Sequence, residues 1–145
     1  MFDQTLARAT SRWRNATELA FRIGLSLIFI VGGLGHFFRS GDMLARIAES
    51  PWAPVVALFG NPLIHLWWTG AVFVIAGLAL AAGYSTRLAA AALFLALLPV
   101  TVTIHIVPDA AHVGPLFKNV AILGALLHFF VEGTRCCGLD ARRAQ

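Results

Sequence analysis

Charge is scarce in this sequence. Asp, Glu, Lys and Arg make up 12% of its 145 residues, about half the share of an ordinary soluble domain. Hydrophobic residues reach 59% and the mean hydropathy is +0.78. A chain this short keeps much of its surface exposed when it folds in water. A soluble core has no room for the apolar surplus, so lipid is the expected solvent. Cysteine is equally sparse. Cys136 and Cys137 stand side by side in the polar tail, which excludes a disulfide framework and a CxxC redox pair. Two reduced thiols are expected. Metal-ligand spacing is missing too: there is no HxxxH or HxxE pattern, so no metal site is expected. No low-complexity segment or strong repeat appears. An arginine-bearing stretch precedes the first apolar run, as in a signal peptide. That run ends in Gly-Leu-Gly-His-Phe-Phe at 33–38 without a small-x-small cleavage site, so a retained first helix is expected.

What is present is four apolar runs. They predict helices over about 16–38, 62–82, 88–107 and 116–131, each near the 20 or so residues that cross a hydrocarbon core. Residues 1–145 read as one all-α integral membrane domain, a four-transmembrane-helix bundle. Asn15 followed by Glu18 looks like a capping box opening helix 1. Met43–Glu49 suits a short interfacial helix, and Gly60-Asn61-Pro62 suits a turn opening helix 2. Trp67 and Trp68 suit an aromatic belt. Gly83-Tyr84-Ser85-Thr86-Arg87 reads as a tight turn. Pro99 should kink helix 3 and turn the Thr101/His105 face towards the bundle. Small residues should bring the helices together, since apolar burial gives no drive in lipid. They are Gly24, Gly32 and Gly35, then Gly70, Gly77 and Ala81, then Ala89, Ala92 and Ala96, then Ala121, Gly124 and Ala125.

The net charge of +4 sits outside the apolar runs, which points to the membrane surface and away from nucleic acid. Arg8, Arg12, Arg14, Arg22, Arg87, Arg135, Arg142 and Arg143 fall on the side of the two ends. Arg39, Arg46 and Lys118 fall on the other. Eight against three predicts both ends in the cytoplasm of a bacterial-type inner membrane. Arg22 and Glu132, at the cytoplasmic ends of helices 1 and 4, read as a structural pair.

Histidine carries the remaining signal. His36 ends helix 1, His65 begins helix 2, His105 ends helix 3 and His112 lies in the last loop, all on one membrane side. Lys118 and Asn119 share that level. Gly32/His36, His65/Thr69 and Thr101/His105 are i,i+4 pairs stacked on single helix faces. Interfacial placement accounts for any one of these residues. Together His36, His65, Thr101, His105, His112, Lys118 and Asn119 make a candidate ligand pocket. Lys118, placed in the first turn of helix 4, opposes the helix dipole. It reads as an anchor for an anion or a quinone carbonyl.

The chain also resembles the DoxX family of small four-helix membrane proteins over about Phe21–Glu132. The likeness rests on Arg22-Ile-Gly through Gly32-Gly-Leu-Gly-His36-Phe. It continues in Gly77-Leu-Ala-Leu-Ala-Ala-Gly83-Tyr-Ser-Thr-Arg87-Leu-Ala, Thr101-Val-Thr-Ile-His105 and Phe117-Lys118-Asn119-Val-Ala-Ile-Leu-Gly124. The resemblance implies a four-helix bundle linked to respiratory or sulfur redox chemistry, with some relatives serving as membrane subunits of quinone-linked oxidoreductases. No cofactor motif stands in the sequence itself. Three functions follow: a quinone-handling or redox-accessory subunit, a non-catalytic anchor or assembly partner, or a small-solute transporter. The absence of an inverted repeat weakens the last. Membrane lipid, a redox-enzyme subunit and further copies of the chain are the expected partners.

Overall fold

The computed structural model describes residue 6 and residues 9–143, with side chains to residue 141. Arg8 therefore lies outside the described residues, and Arg142 and Arg143 are described as backbone alone. Seven α-helices are present among the described residues: α1 (Arg14–Phe38), α2 (Ser40–Glu49), α3 (Ala53–Leu58), α4 (Pro62–Ala82), α5 (Thr86–His105), α6 (Val113–Glu132) and α7 (Leu139–Arg143). Four of them, α1 and α4 to α6, are long and apolar enough to cross a membrane. The protein is an all-α, four-span bundle.

Its packing is that of a membrane protein. Leu27, Ile28, Val31, Ile75, Leu88 and Leu95 point outwards, while Arg22, Ser26, Thr86, Thr101 and Asn119 are buried. The reverse would hold in water. The inner face is closed by Leu25, Phe29, Phe73, Leu80, Ala90, Leu93, Leu126 and Phe129. Phe29 meets Phe73 edge-on at 5.1 Å between ring centres, a favoured aromatic geometry.

The principal pairings are α1 with α4, α4 with α5, and α5 with α6. The closest approach uses a glycine absent from the expected set. A Cβ on Gly33 would lie 2.8 Å from the Gly70 carbonyl oxygen and 2.8 Å from the Phe73 Cβ. One on Gly70 would lie 2.7 Å from the His36 Cβ. Gly77 packs on Ile30, as expected of a packing glycine. Gly24, Gly32 and Gly124 face open space instead. The α1 face towards α4 carries Phe29, Gly33 and His36. At 3.6 residues per turn Gly32 is rotated off it.

Helix ends explain the other departures. The Asn15–Glu18 capping box does not form, because a 3-10 turn at Ser11–Trp13 runs directly into α1 and puts Asn15 inside the helix. Glu18 Oε1 instead accepts the Arg135 backbone N–H (2.8 Å) and the Thr134 hydroxyl (3.1 Å). At α4, by contrast, Asn61 caps through the Leu63 N–H and Pro62 takes the first position. Gly83, at φ +63°, ends it.

α5 opens two residues earlier than expected. Asp140 accepts from the Ser85 N–H, the Thr86 N–H and the Thr86 hydroxyl at 2.8–2.9 Å. It is an N-cap supplied from far along the chain. α5 continues through Pro99 to His105. α6 opens three residues early, because Asp109 caps a 3-10 turn at Ala110–His112 that leads into it.

The C-terminal segment is folded back on the bundle. Arg22 is fully buried and donates to the Thr134 hydroxyl, the Cys136 carbonyl (3.3 Å) and the Cys137 carbonyl (2.7 Å). The expected Arg22–Glu132 pair is thus corrected: Glu132 points outwards and pairs with Arg135 at 2.5 Å. A Cβ on Gly83 would meet the Gly138 Cα at 2.7 Å, so both glycines are required where the tail crosses the α4–α5 turn.

Candidate functional site

The opposite end of the bundle is open. The 39–61 connection closes over it as α2 and α3, and two bonds tie that connection to the end of α5. Ser50 Oγ donates to the Thr103 carbonyl (2.5 Å) and Trp52 Nε1 to the Ile106 carbonyl (3.0 Å). Between this flap and the ends of the four spans lies a cavity of about 830 Å³. Its walls are largely apolar, with Ile47, Val55, Val56, Leu66, Val100 and Ile104 among them.

His36, His65, His105 and Lys118 all line it. Three of the four residues expected to converge most closely (His36, His105 and Lys118) are therefore brought together. His36 is buried, and its Nδ1 lies 3.1 Å from the Leu66 carbonyl. A carbonyl only accepts, so Nδ1 carries the proton and Nε2 is left as an acceptor. His65 Nε2 likewise donates to the Phe59 carbonyl at 2.6 Å, leaving its Nδ1 to accept. His105 is half-buried, and its Nδ1 lies 3.4 Å from His112 Nδ1. His112 in turn approaches Asp109 at 4.0 Å. The row His105–His112–Asp109 leads from the cavity wall outwards.

Thr101, Asn119 and His112 are not on the cavity wall. Asn119 Nδ2 donates to Thr101 Oγ1 at 3.0 Å, both side chains buried, in a polar cross-link between α5 and α6. This corrects the placing of Asn119 in the pocket. The depth inferred from sequence holds, and the helix face does not. Lys118 also needs correction. α6 begins at Val113, so Lys118 is its sixth residue, beyond the first turn where the dipole acts most strongly. Its claim rests on the cavity alone.

Arg46 is the site residue that sequence reasoning missed. It lines the cavity from α2, whereas in sequence it counted only towards the charge balance. Its signal was available: α2 is a short helix with one apolar side, and Met43, Ile47 and Arg46 all turn to the cavity. The assembled chemistry is that of an amphipathic slot. Three imidazoles line it, of which His36 and His65 have an assigned acceptor nitrogen, two cations offer N–H donors, and the remaining wall is largely hydrocarbon. Groups of three or more His, Cys, Asp or Glu able to hold a metal do not occur among the described residues.

Residues 17–106 match the family model for DoxX. That is more than half of the chain. It spans α1 to α5, including His36, His65, Thr101 and His105, and it stops short of Lys118 and Asn119. No curated protein and no solved structure matches the chain. With four apolar spans in sequence order and the match running through three of them, this multi-pass membrane protein belongs to the DoxX family.

Proposed function

We propose that the chain is a quinone-handling subunit of a membrane oxidoreductase, with the flap-covered cavity as its quinone site. One observation carries the reading. An apolar cavity of about 830 Å³ gathers His36, His65, His105, Arg46 and Lys118 at one end of the bundle. Small-molecule sites are typically concave, mostly apolar and set with a few polar groups. A quinone ring has this character, with oxygens at both ends of an apolar plane. Lys118 and Arg46 donate to a ring carbonyl. The acceptor nitrogen of His36 takes a hydrogen bond from a quinol hydroxyl. When a quinol is oxidised, two protons and two electrons leave it. His36 and His105 each take one phenolic proton, His105 passes its proton outwards to His112, and the two electrons go to an oxidised redox centre of the partner subunit. The arginine bias supports a periplasmic position for this end in a bacterial inner membrane, with both termini cytoplasmic.

The test is binding. Decylubiquinone is titrated into the purified protein in nanodiscs, with quenching of tryptophan fluorescence as the readout, since Trp52 lines the cavity. Saturable quenching is expected. Lys118→Met keeps bulk and removes the donor. It should weaken binding about tenfold, as expected for loss of one charged hydrogen bond of about 1.5 kcal/mol. Linear, unsaturable quenching in the parent, together with no quinone in its lipid extract, refutes the reading and leaves anchoring of a partner enzyme as the better one.

A further inference from the structure

A second recess lies at the other end of the molecule and plays no part in the quinone reading. It has a volume of about 530 Å³ and lies where the start of α1 meets the end of α6. Arg14, Glu18, Phe21, His128, Glu132 and Arg135 line it. These positions fall at matching ends of two candidate spans, so the recess opens at head-group depth. Trp13, 56% exposed beside it, suits the same level.

The charges are balanced, two guanidinium groups against two carboxylates. They are also only partly committed. Glu18 uses Oε1 for the Arg135 N–H and the Thr134 hydroxyl. Glu132 uses Oε2 for the Arg135 side chain. Among the described residues no bond is recorded on Glu18 Oε2 or Glu132 Oε1, and no carboxylate lies within ion-pair distance of Arg14. The recess therefore presents two carboxylate oxygens to a cation with N–H donors and one guanidinium to an anion.

Beneath it the α1–α6 seam stays open. Phe21 and His128 meet across the seam, with ring centres 6.2 Å apart. Gly24 is three residues further into the membrane from Phe21, and Gly124 is four residues further in from His128. Each is stacked on the same helix face as its partner. A Cβ on either glycine would meet nothing within 4 Å. Below the Phe21–His128 ring contact each helix thus presents a glycine with open space beside it, room for an apolar chain.

We propose that this recess and groove form a site for one phospholipid with an ethanolamine head group. The primary ammonium donates to Glu18 and Glu132, the phosphate takes Arg14, and an acyl chain lies along Gly24 and Gly124. A choline head group has no N–H to donate. A glycerol head group brings a net negative charge and no cation for the carboxylates. The site thereby distinguishes head groups by hydrogen bonding and by charge, and the open seam distinguishes a lipid from a soluble phosphate.

The test uses the full chain, delipidated in detergent, with phosphatidylethanolamine, phosphatidylcholine or phosphatidylglycerol of identical acyl chains, read by native mass spectrometry. One phosphatidylethanolamine should be retained at least tenfold more strongly than either of the others. Glu18→Gln keeps an acceptor oxygen for the tail and removes charge, so it should erase the preference without loss of the folded monomer. The double variant Glu18→Gln/Glu132→Gln leaves two arginines facing no carboxylate and should reverse the order in favour of phosphatidylglycerol. Equal retention of the three lipids by the parent overturns the proposal, as does an order unchanged in the double variant. Stripping of the bound lipid by free phosphoethanolamine also overturns it, because the groove then contributes nothing.

Discussion

Replacing Arg22 by Met should release the C-terminal segment while leaving the four spans assembled. Arg22 holds that segment through the Thr134 hydroxyl and the carbonyls of Cys136 and Cys137. Met fills much of the volume and removes the buried Nε, which has no partner. The Thr134 hydroxyl still has an acceptor, either Glu18 (3.1 Å) or the Cys136 carbonyl (3.0 Å). The Cys137 carbonyl loses its Arg22 donor, at about 1–3 kcal/mol where water does not replace it. The tail avoids that penalty by lifting off, so the loss appears there and not as unfolding. A loss of about 2 kcal/mol raises the detached population roughly 30-fold. Limited trypsin cleavage after Arg135, whose backbone N–H is held by Glu18 in the docked tail, reads that population. Arg22→Lys keeps one donor and should fall between the two. Equal cleavage rates in parent, Lys and Met proteins would refute the idea that this arginine is the clasp.

Two further outcomes are expected. Gly33→Val forces a side chain into a contact where even Cβ lies 2.8 Å from Gly70 and Phe73. It should lower thermal stability in detergent by about 1–3 kcal/mol, whereas Gly32→Ala, in open space, should be neutral or slightly stabilising; equal effects would contradict the assigned α1–α4 interface. The Cys136 thiol is pushed from the ordinary 9.0 up to about 11, first by its hydrogen bond with Cys137 and then by burial. A raised pKa stabilises the docked tail fully below pH 9 and loses that contribution as pH rises through about 11. Site-resolved alkylation at pH 8 should therefore be about 100-fold slower at Cys136 than at an ordinary thiol, and should climb through pH 11.

The parts of the fold legible in sequence are those fixed by neighbours along the chain. Both ends of α4 were, because Asn61-Pro62 starts a helix and Gly83 stops one within a few residues. The start of α5 was not. It is set by Asp140, more than fifty residues away, and a cap of that kind leaves no local pattern. The Asn15–Glu18 pair failed because the turn at Ser11–Trp13 already winds into α1 ahead of Asn15, which leaves Glu18 to serve the tail. At the candidate site, depth was readable and azimuth was not. His36, His65, His105 and Lys118 reach one cavity because residues at one level of a bundle converge. Asn119, at that same level, turns to Thr101 instead. Which glycine touches a neighbour is also a question of azimuth, and the adjacent Gly32 and Gly33 were separable only by the position of α4.

The two ends of the bundle are built on opposite terms, and this has a measurable consequence. At the tail end Arg22, Asp140, Gly83 and Gly138 interlock over the α4–α5 turn, with the recess to one side at α1 and α6. At the other end the spans part and a tethered flap covers the gap. α5 joins the two, with Asp140 on its first residue and His105 as its last. Its 20 residues place those ends about 30 Å apart. Groups this distant, sharing no partner, contribute additively to within about 0.5 kcal/mol. Asp140→Asn turns one of the two acceptor oxygens into a donor and should lower stability by about 1 kcal/mol. Lys118→Met should weaken decylubiquinone binding about tenfold. The double variant should show both losses unchanged, stability read by thermal unfolding without quinone and affinity by fluorescence quenching. An affinity loss in Asp140→Asn alone, comparable to that of Lys118→Met, would mean that α5 moves as a rod between two arrangements. The tail would then belong to the working parts of the site and would not merely close the far end.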